Sequence, residues 1–202
     1  MMTTPDRRDT AGPDPDPGNP DAVLEVQILT SHDGWHAIPA VMDRITEGLC
    51  TAAAHVGLVL PAQVSLLLTG DGEIRAINRD HRGKDSPTNV LSFPQIDMSA
   101  VDVSTLSALL EEQAPMGDDV PALGDIALSI ETLTREAEAD GKTLNDHLIH
   151  LVVHGFLHLI GHDHEADDMA EAMEAEEIAI LHRLNIANPY AELTHAPVET
   201  RD

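Results

Sequence analysis

The sequence predicts a chain of mixed α and β structure, about four short strands with about five helices, one of them central and buried. Three observations lead there. Apolar and polar residues alternate, or cluster briefly between turn residues, in four short runs. Apolar residues recur at helical spacing in the stretches between and after them. One of those stretches, Leu144 to Ile160, is apolar nearly all round, the pattern of a helix enclosed by protein.

Taken in order, residues 1–22 hold Pro5, Pro13, Pro15, Pro17 and Pro20 among Asp, Gly, Thr and Asn. Such a segment cannot bury enough apolar surface to offset its ordering entropy, and a disordered tail is expected. From Val23 the first strand sets Leu24, Val26 and Ile28 against Glu25 and Gln27. A helix follows, with Pro39 in its first turn, Ile38, Val41, Met42, Ile45, Leu49 and Val56 inward, and Gly57 as its stop. Cys50 falls among these apolar residues and is expected to be a small core side chain. Val64, Leu66 and Leu68 mark a second strand, and Asp71 is the expected cap of a short helix carrying Ile74 and Ile77. After the Gly83-Lys84-Asp85-Ser86-Pro87 turn, Asn89 to Phe93 reads as a third strand closed by Pro94. Residues 95–122 are acidic and aperiodic beyond one helical turn at Leu106 to Leu110, which predicts a long surface insertion. Leu123 to Ser129 gives the fourth strand, and Glu131 to Asp140 a helix stopped by Gly141. Thr143 then caps the apolar helix, which is punctuated by His147, His150, His154 and His158. A last helix, Asp168 to Leu184, should turn Met169, Met173, Ile180 and Leu184 inward before Pro189, with residues 191–202 a flexible tail. Residues 23–190 are thus expected to form a single domain.

At 202 residues and 42% hydrophobic content the chain can bury one real core. No apolar leader follows Arg7 and Arg8, and no apolar stretch is long enough to span a bilayer, so a cytoplasmic protein without membrane partners is expected. A single cysteine excludes an intramolecular disulfide and any cysteine-rich metal site. The net charge of -25 argues against loose adhesion to nucleic acid or anionic membrane. Yet Arg75, Arg79, Arg82 and Lys84 crowd into ten positions. They make either a local positive site or a solvated helix face running into a loop.

The chemistry lies in His154-Gly155-Phe156-Leu157-His158-Leu159-Ile160-Gly161-His162-Asp163-His164-Glu165. Residues four apart on a helix share a face, so His154 and His158 can offer ring nitrogens to one point. Gly161 can break the helix into a left-handed turn that returns the chain, which places His164 as a third ligand with His162 as its competitor. Three neutral imidazoles suit zinc and leave its fourth position open, as in a catalytic site. One buried histidine is ordinarily a hydrogen-bonded core residue, but five between positions 150 and 164 are not explained by packing. His147 and His150 are expected to serve the fold. Asp163 and Glu165 fit either an orienting role toward a ligand ring or a solvated loop. The spacing also matches metzincin proteases, which need Glu after the first histidine; Gly155 cannot move a proton, which sets that reading aside.

Three blocks carry a resemblance to a known family: Asn78 through Arg82-Gly83-Lys84-Asp85-Ser86-Pro87-Thr88-Asn89-Val90-Leu91-Ser92-Phe93-Pro94, then Leu123-Gly124-Asp125-Ile126, then His150 to His164. Together with Asn188-Pro189-Tyr190 after the last helix, the chain over about 23–190 resembles the YbeY family, bacterial ribosomal-RNA maturation factors regarded as single-strand-specific metallo-endoribonucleases. The resemblance implies an α+β fold, a small mixed sheet packed with helices. It implies one zinc ion per chain on His154, His158 and His164, and a functional requirement for Arg82. It further implies 3′-end maturation of small-subunit ribosomal RNA and ribosome quality control, with single-stranded RNA and the small ribosomal subunit as partners and no DNA. Physically, a guanidinium at Arg82 can hold a phosphate, with Lys84 and Arg79 as further RNA contacts. The chain departs from the family at His81 and His162, where tyrosine is usual; the three ligands are left intact, a phenol hydroxyl's role there does not carry over, and the two rings are added candidates for a metal ligand or proton carrier. The alternative is a zinc-stabilised ribosome-assembly or interaction factor with little nuclease activity.

Overall fold

The computed structural model describes residues 24–58, 61–96, 105, 106, 108, 110, 120–162, 164 and 166–191. The expected tails, apart from Ala191, lie outside these residues. Strands β1 (Leu24–Thr30), β2 (Ala62–Thr69), β3 (Val90–Pro94) and β4 (Ala122–Ser129) form one sheet in the order β1-β2-β4-β3. β1, β2 and β4 run parallel and β3 is antiparallel to β4, so the sheet is mixed and the fold α+β. Among the described residues, five α-helices with defined bounds accompany it: α1 (Val41–His55), α2 (Asp71–Arg82), α3 (Ile130–Ala139), α4 (Leu144–Leu159) and α5 (Asp167–Arg183). No helix among the described residues is long and apolar enough to cross a membrane.

The period-two alternation of the strands decides which face is deep. Val64, Leu66 and Leu68 of β2 and Ile126 and Leu128 of β4 turn to the main core, with register pairs Leu66↔Ile126 and Leu68↔Leu128. Helix α4 lies against α1, α3, α5 and the strands β3 and β4, and ten of its sixteen residues are buried. The opposite face of the sheet is covered by α2, whose Ile74 and Ile77 pack on Leu67, Leu91, Phe93 and Ala127. The segment expected to be a surface insertion contributes Leu106 and Leu110 to the main core, so its one helical turn is anchored by burial.

Several local expectations are corrected. Between β1 and α1 the chain forms a 3-10 turn, Asp33–Ala37, in which His32 Nδ1 accepts the Gly34 N–H and the wholly buried Trp35 donates from Nε1 to the Thr69 carbonyl. Anchored there, Ile38 and Pro39 precede α1 instead of opening it. Cys50 is exposed, because α1 turns its neighbours Leu49 and Ala53 to the core and carries Cys50 outward. Met169 is 43% exposed, so the buried stripe of α5 begins at Met173.

Asp71 does not cap its own helix. The cap position is Gly70, and Glu131 of α3 accepts the Asp71 N–H at 2.9 Å. The Asp71 carboxylate instead accepts the hydroxyls of Ser129 and Thr132, each at 2.6 Å. The starts of α2 and α3 are thereby tied by reciprocal carboxylates, which suit the positive end of a helix dipole. Burial opposes ionisation of Asp71, but the two hydroxyls and Arg135 outweigh it and hold its carboxyl below the usual range.

Gly124 joins β4 to its neighbours. It lies where the β2–β4 register shifts, at φ +149°, and a Cβ there would sit 2.3 Å from the Phe93 carbonyl oxygen and 2.9 Å from Leu159 Cδ2. Gly124→Ala should therefore cost about 3 kcal/mol of stability in urea unfolding, since backbone and helix must both shift. Asp71→Ala should cost about 1–2 kcal/mol at pH 7, by stranding buried hydroxyls. Because the folded pKa of Asp71 lies below its unfolded value near 3.9, its stabilisation is complete above about pH 5 and is lost as pH falls through the folded value. The gap between Asp71→Ala and the unmodified protein should close correspondingly in acid.

Candidate metal centre

Helix α4 is capped as its sequence predicts, with Thr143 Oγ1 accepting the Asp146 N–H at 3.0 Å. In its central and C-terminal turns only His150, His154 and His158 are less than fully buried, one per turn along one face. Gly155 is on the sheet side, where a Cβ would come within 3.1 Å of both Ile126 Cγ2 and Ser92 Oγ. A side chain at 155 would therefore enter the sheet, which gives the glycine a packing role and leaves the chemistry to the histidine face. The helix ends as expected at Gly161, φ +93°, with the His162 N–H returning to the Leu157 carbonyl at 3.0 Å.

That turn brings His164 back to the helix. Its ring stacks on His154 at 5.7 Å between centroids and meets His158 edge-on at 5.0 Å. His154, His158 and His164 each offer one nitrogen, all within 4.8 Å of one another, and form the one group among the described residues that could hold a metal ion. His154 and His158 approach through Nε2 at 3.1 Å. Their Nδ1 atoms are committed elsewhere: His154 Nδ1 donates to Glu177 Oε1 at 2.8 Å, and His158 Nδ1 to the His162 carbonyl at 2.9 Å. Two neutral rings held this way set lone pairs face to face, an arrangement that is repulsive without a proton or cation between them. A tetrahedral ion with ligand bonds of 2.0–2.1 Å sets two nitrogens about 3.3 Å apart, so the donor set fits one.

The other predicted residues fall around this group. His162 contributes its carbonyl and lies outside the group; burial lowers its pKa despite Glu176 and Glu177, which favours the neutral ring. His147 and His150 make carboxylate hydrogen bonds, His147 Nε2 to Glu136 at 3.0 Å and His150 Nε2 to Glu177 at 2.7 Å. A cavity of about 680 Å³ beside the first half of α4 opens on these two rings. Asp163 and Glu165 lie outside the described residues.

Arg82 ends α2 on the far face of the sheet and reaches the edge strand β3. Its Nη2 donates to the Ser92 carbonyl at 3.1 Å, and its guanidinium carbon lies 5.9 Å from the Phe93 ring centre. Since Ser92 Oγ packs beside Gly155, one strand residue joins Arg82 to the histidine helix. His81 packs on Phe93, with ring centroids 5.1 Å apart, and is not part of the histidine group. The basic cluster is partly neutralised in place: Arg75 forms a two-pronged pair with Asp85, and Arg79 pairs with Asp80. Arg82 and Lys84 are exposed at the end of this run.

Glu177 was not legible as a site residue, because α5 also carries Asp167, Asp168, Glu171, Glu174 and Glu176. The signal was its place in the stripe, between Met173 and Ile180 at helical spacing, where a carboxylate is out of keeping. It is 1% exposed and accepts from His150, His154 and the Tyr190 hydroxyl. Burial alone would raise its pKa, but these three hydrogen bonds outweigh it and hold the group at about 2.

A family profile described as Endoribonuclease YbeY matches residues 31–185. An Endoribonuclease YbeY from Allorhizobium ampelinum is 43% identical over 174 residues, covering 83% of this chain and 95% of its own. One from Erythrobacter litoralis is 44% identical over 173 residues, covering 85% and 99%. A solution structure of a Thermotoga maritima protein is similar with a TM-score of 0.49 at 22% identity, covering 80% of this chain and 92% of that one. With the profile spanning most of its length and relatives this similar along nearly their whole chains, the protein belongs to the YbeY family of endoribonucleases.

Proposed function

We propose that the protein, through a single domain of residues 23–190, is a zinc-dependent, single-strand-specific endoribonuclease. It acts in the cytoplasm on the 3′ end of small-subunit ribosomal RNA and in ribosome quality control. Family membership supports the nuclease reaction and the RNA substrate. The observation that carries the metal-dependent form is the approach of His154 and His158 through Nε2 at 3.1 Å, with His164 beside them and both Nδ1 atoms engaged. Three imidazoles without a thiolate suit one zinc ion per chain.

Zinc bound there would supply Lewis acidity toward the scissile phosphate or a water molecule. The chain's own side chains supply the rest. His154, His158 and His164 would hold the ion, two of them from fixed positions on a buried helix. Arg82 is permanently charged and binds the scissile phosphate, where its planar fork also meets the charge that develops during cleavage. Its bond to the Ser92 carbonyl engages one of its five N–H donors and ties the fork to the edge strand β3. Lys84 and Arg79 add contacts to the RNA backbone.

A second reading is a zinc-stabilised ribosome-assembly or interaction factor with little nuclease activity. It is favoured by the pairing of Arg75 and Arg79 with carboxylates, which withdraws two of four clustered cations on a chain of net charge -25. Zinc content and cleavage of single-stranded RNA, measured together for the unmodified protein, His158→Ala and Arg82→Ala, separate the two. The unmodified protein should hold one zinc and cleave. His158→Ala should lose both, and Arg82→Ala should keep zinc while cleaving about 10²–10³-fold more slowly. Zinc-loaded protein that cleaves no faster than either variant would sink the enzymatic reading and leave the assembly factor.

A further inference from the structure

His154 and His158 are both held through Nδ1, but by unlike acceptors. His158 donates to a neutral carbonyl, whereas His154 donates to the carboxylate of Glu177. Glu177 is buried to 1% exposure, and a lone charge there would be costly to desolvate. Its second oxygen, Oε2, accepts from His150 Nε2 at 2.7 Å and from the Tyr190 hydroxyl. Tyr190 comes from the segment beyond α5, where Asn188 Oδ1 accepts the Tyr190 N–H at 2.8 Å and the tyrosine ring meets His150 edge-on at 5.6 Å. An apolar residue between Met173 and Ile180 would pack α5 at least as well as this charge does. The carboxylate is therefore accounted for by what it does to the ring of His154.

Building on the metal-dependent reading above, we propose that Glu177, held by His150 and Tyr190, is a positioning residue for the metal centre. It keeps the proton of His154 on Nδ1 and directs Nε2 at the ion. An ionised carboxylate cannot donate, so Nδ1 must carry the proton, and the negative charge behind the ring strengthens Nε2 as a donor. The C-terminal segment 186–191 thereby becomes part of the site's support, through one hydroxyl, although none of its side chains belongs to the ligand group.

Two measurements test this. Nitrogen NMR of the metal-free unmodified protein at neutral pH should show His154 protonated on Nδ1; a ring protonated on Nε2 instead would overturn the proposal. Zinc affinity, read by competition with a chromogenic chelator, should fall 10–100-fold in Glu177→Gln, which keeps the shape but removes the charge. Tyr190→Phe, which leaves Glu177 in place with one donor fewer, should fall in the same direction by less. Wild-type affinity in a folded Glu177→Gln protein would overturn the proposal, and if that variant does not fold, unchanged affinity in Tyr190→Phe would do so. Failure of the unmodified protein to take up zinc would overturn the metal-dependent reading itself, while the tautomer would still report whether Glu177 sets the state of His154.

Discussion

Helix α4 lies so close to the sheet that a Cβ at Gly155 would come within 3.1 Å of Ile126 Cγ2 and Ser92 Oγ, and at its other contact Leu159 presses on Gly124. Interiors packed to this density do not allow a helix to rotate or slide without displacing its neighbours. With Gly155 turned to the sheet, the face carrying His150, His154 and His158 is turned to α5 and partly to solvent. The direction of the histidines thus follows from glycines that carry no chemistry. The same contact draws in the edge strand: Ser92 touches the glycine position with its side chain and Arg82 with its carbonyl, so one residue sets the guanidinium relative to the helix.

Charge is organised around this packing on two scales. Globally the protein is strongly acidic, and its paired arginines on α2 lie at the surface, where such pairs contribute little to stability and mainly cancel local field. Within the fold, carboxylates are used one at a time against specific donors. Asp71 and Glu131 tie the starts of α2 and α3, Glu136 holds His147, and Glu177 holds His150 and His154. In the low dielectric of a buried site a carboxylate with three donors is a fixed charge, unlike its solvated neighbours on the same helix. An acidic composition therefore says little about where the buried negative charge lies.

The residues themselves made much of this protein legible. Strand alternation in Val64, Leu66 and Leu68, the all-round apolar character of α4 and the cap at Thr143 are local patterns, and local patterns survive folding when tertiary packing agrees with them. The spacing of His154 and His158 followed from helix geometry alone, and the return of His164 from the left-handed preference of Gly161. What tertiary structure decided was every feature that depends on a partner distant in sequence. Gly70 took the cap position expected of Asp71 because Glu131 arrives from α3; Leu106 and Leu110 were drawn into the core from an acidic stretch; Cys50 was left outside by the rotation of α1. Glu177 is the clearest case, since nothing in its immediate neighbourhood separates it from Glu174 or Glu176 except the helix face that buries it against α4. A helix face can be read from its own period, but the identity of what lies opposite that face is settled only when the chain has folded.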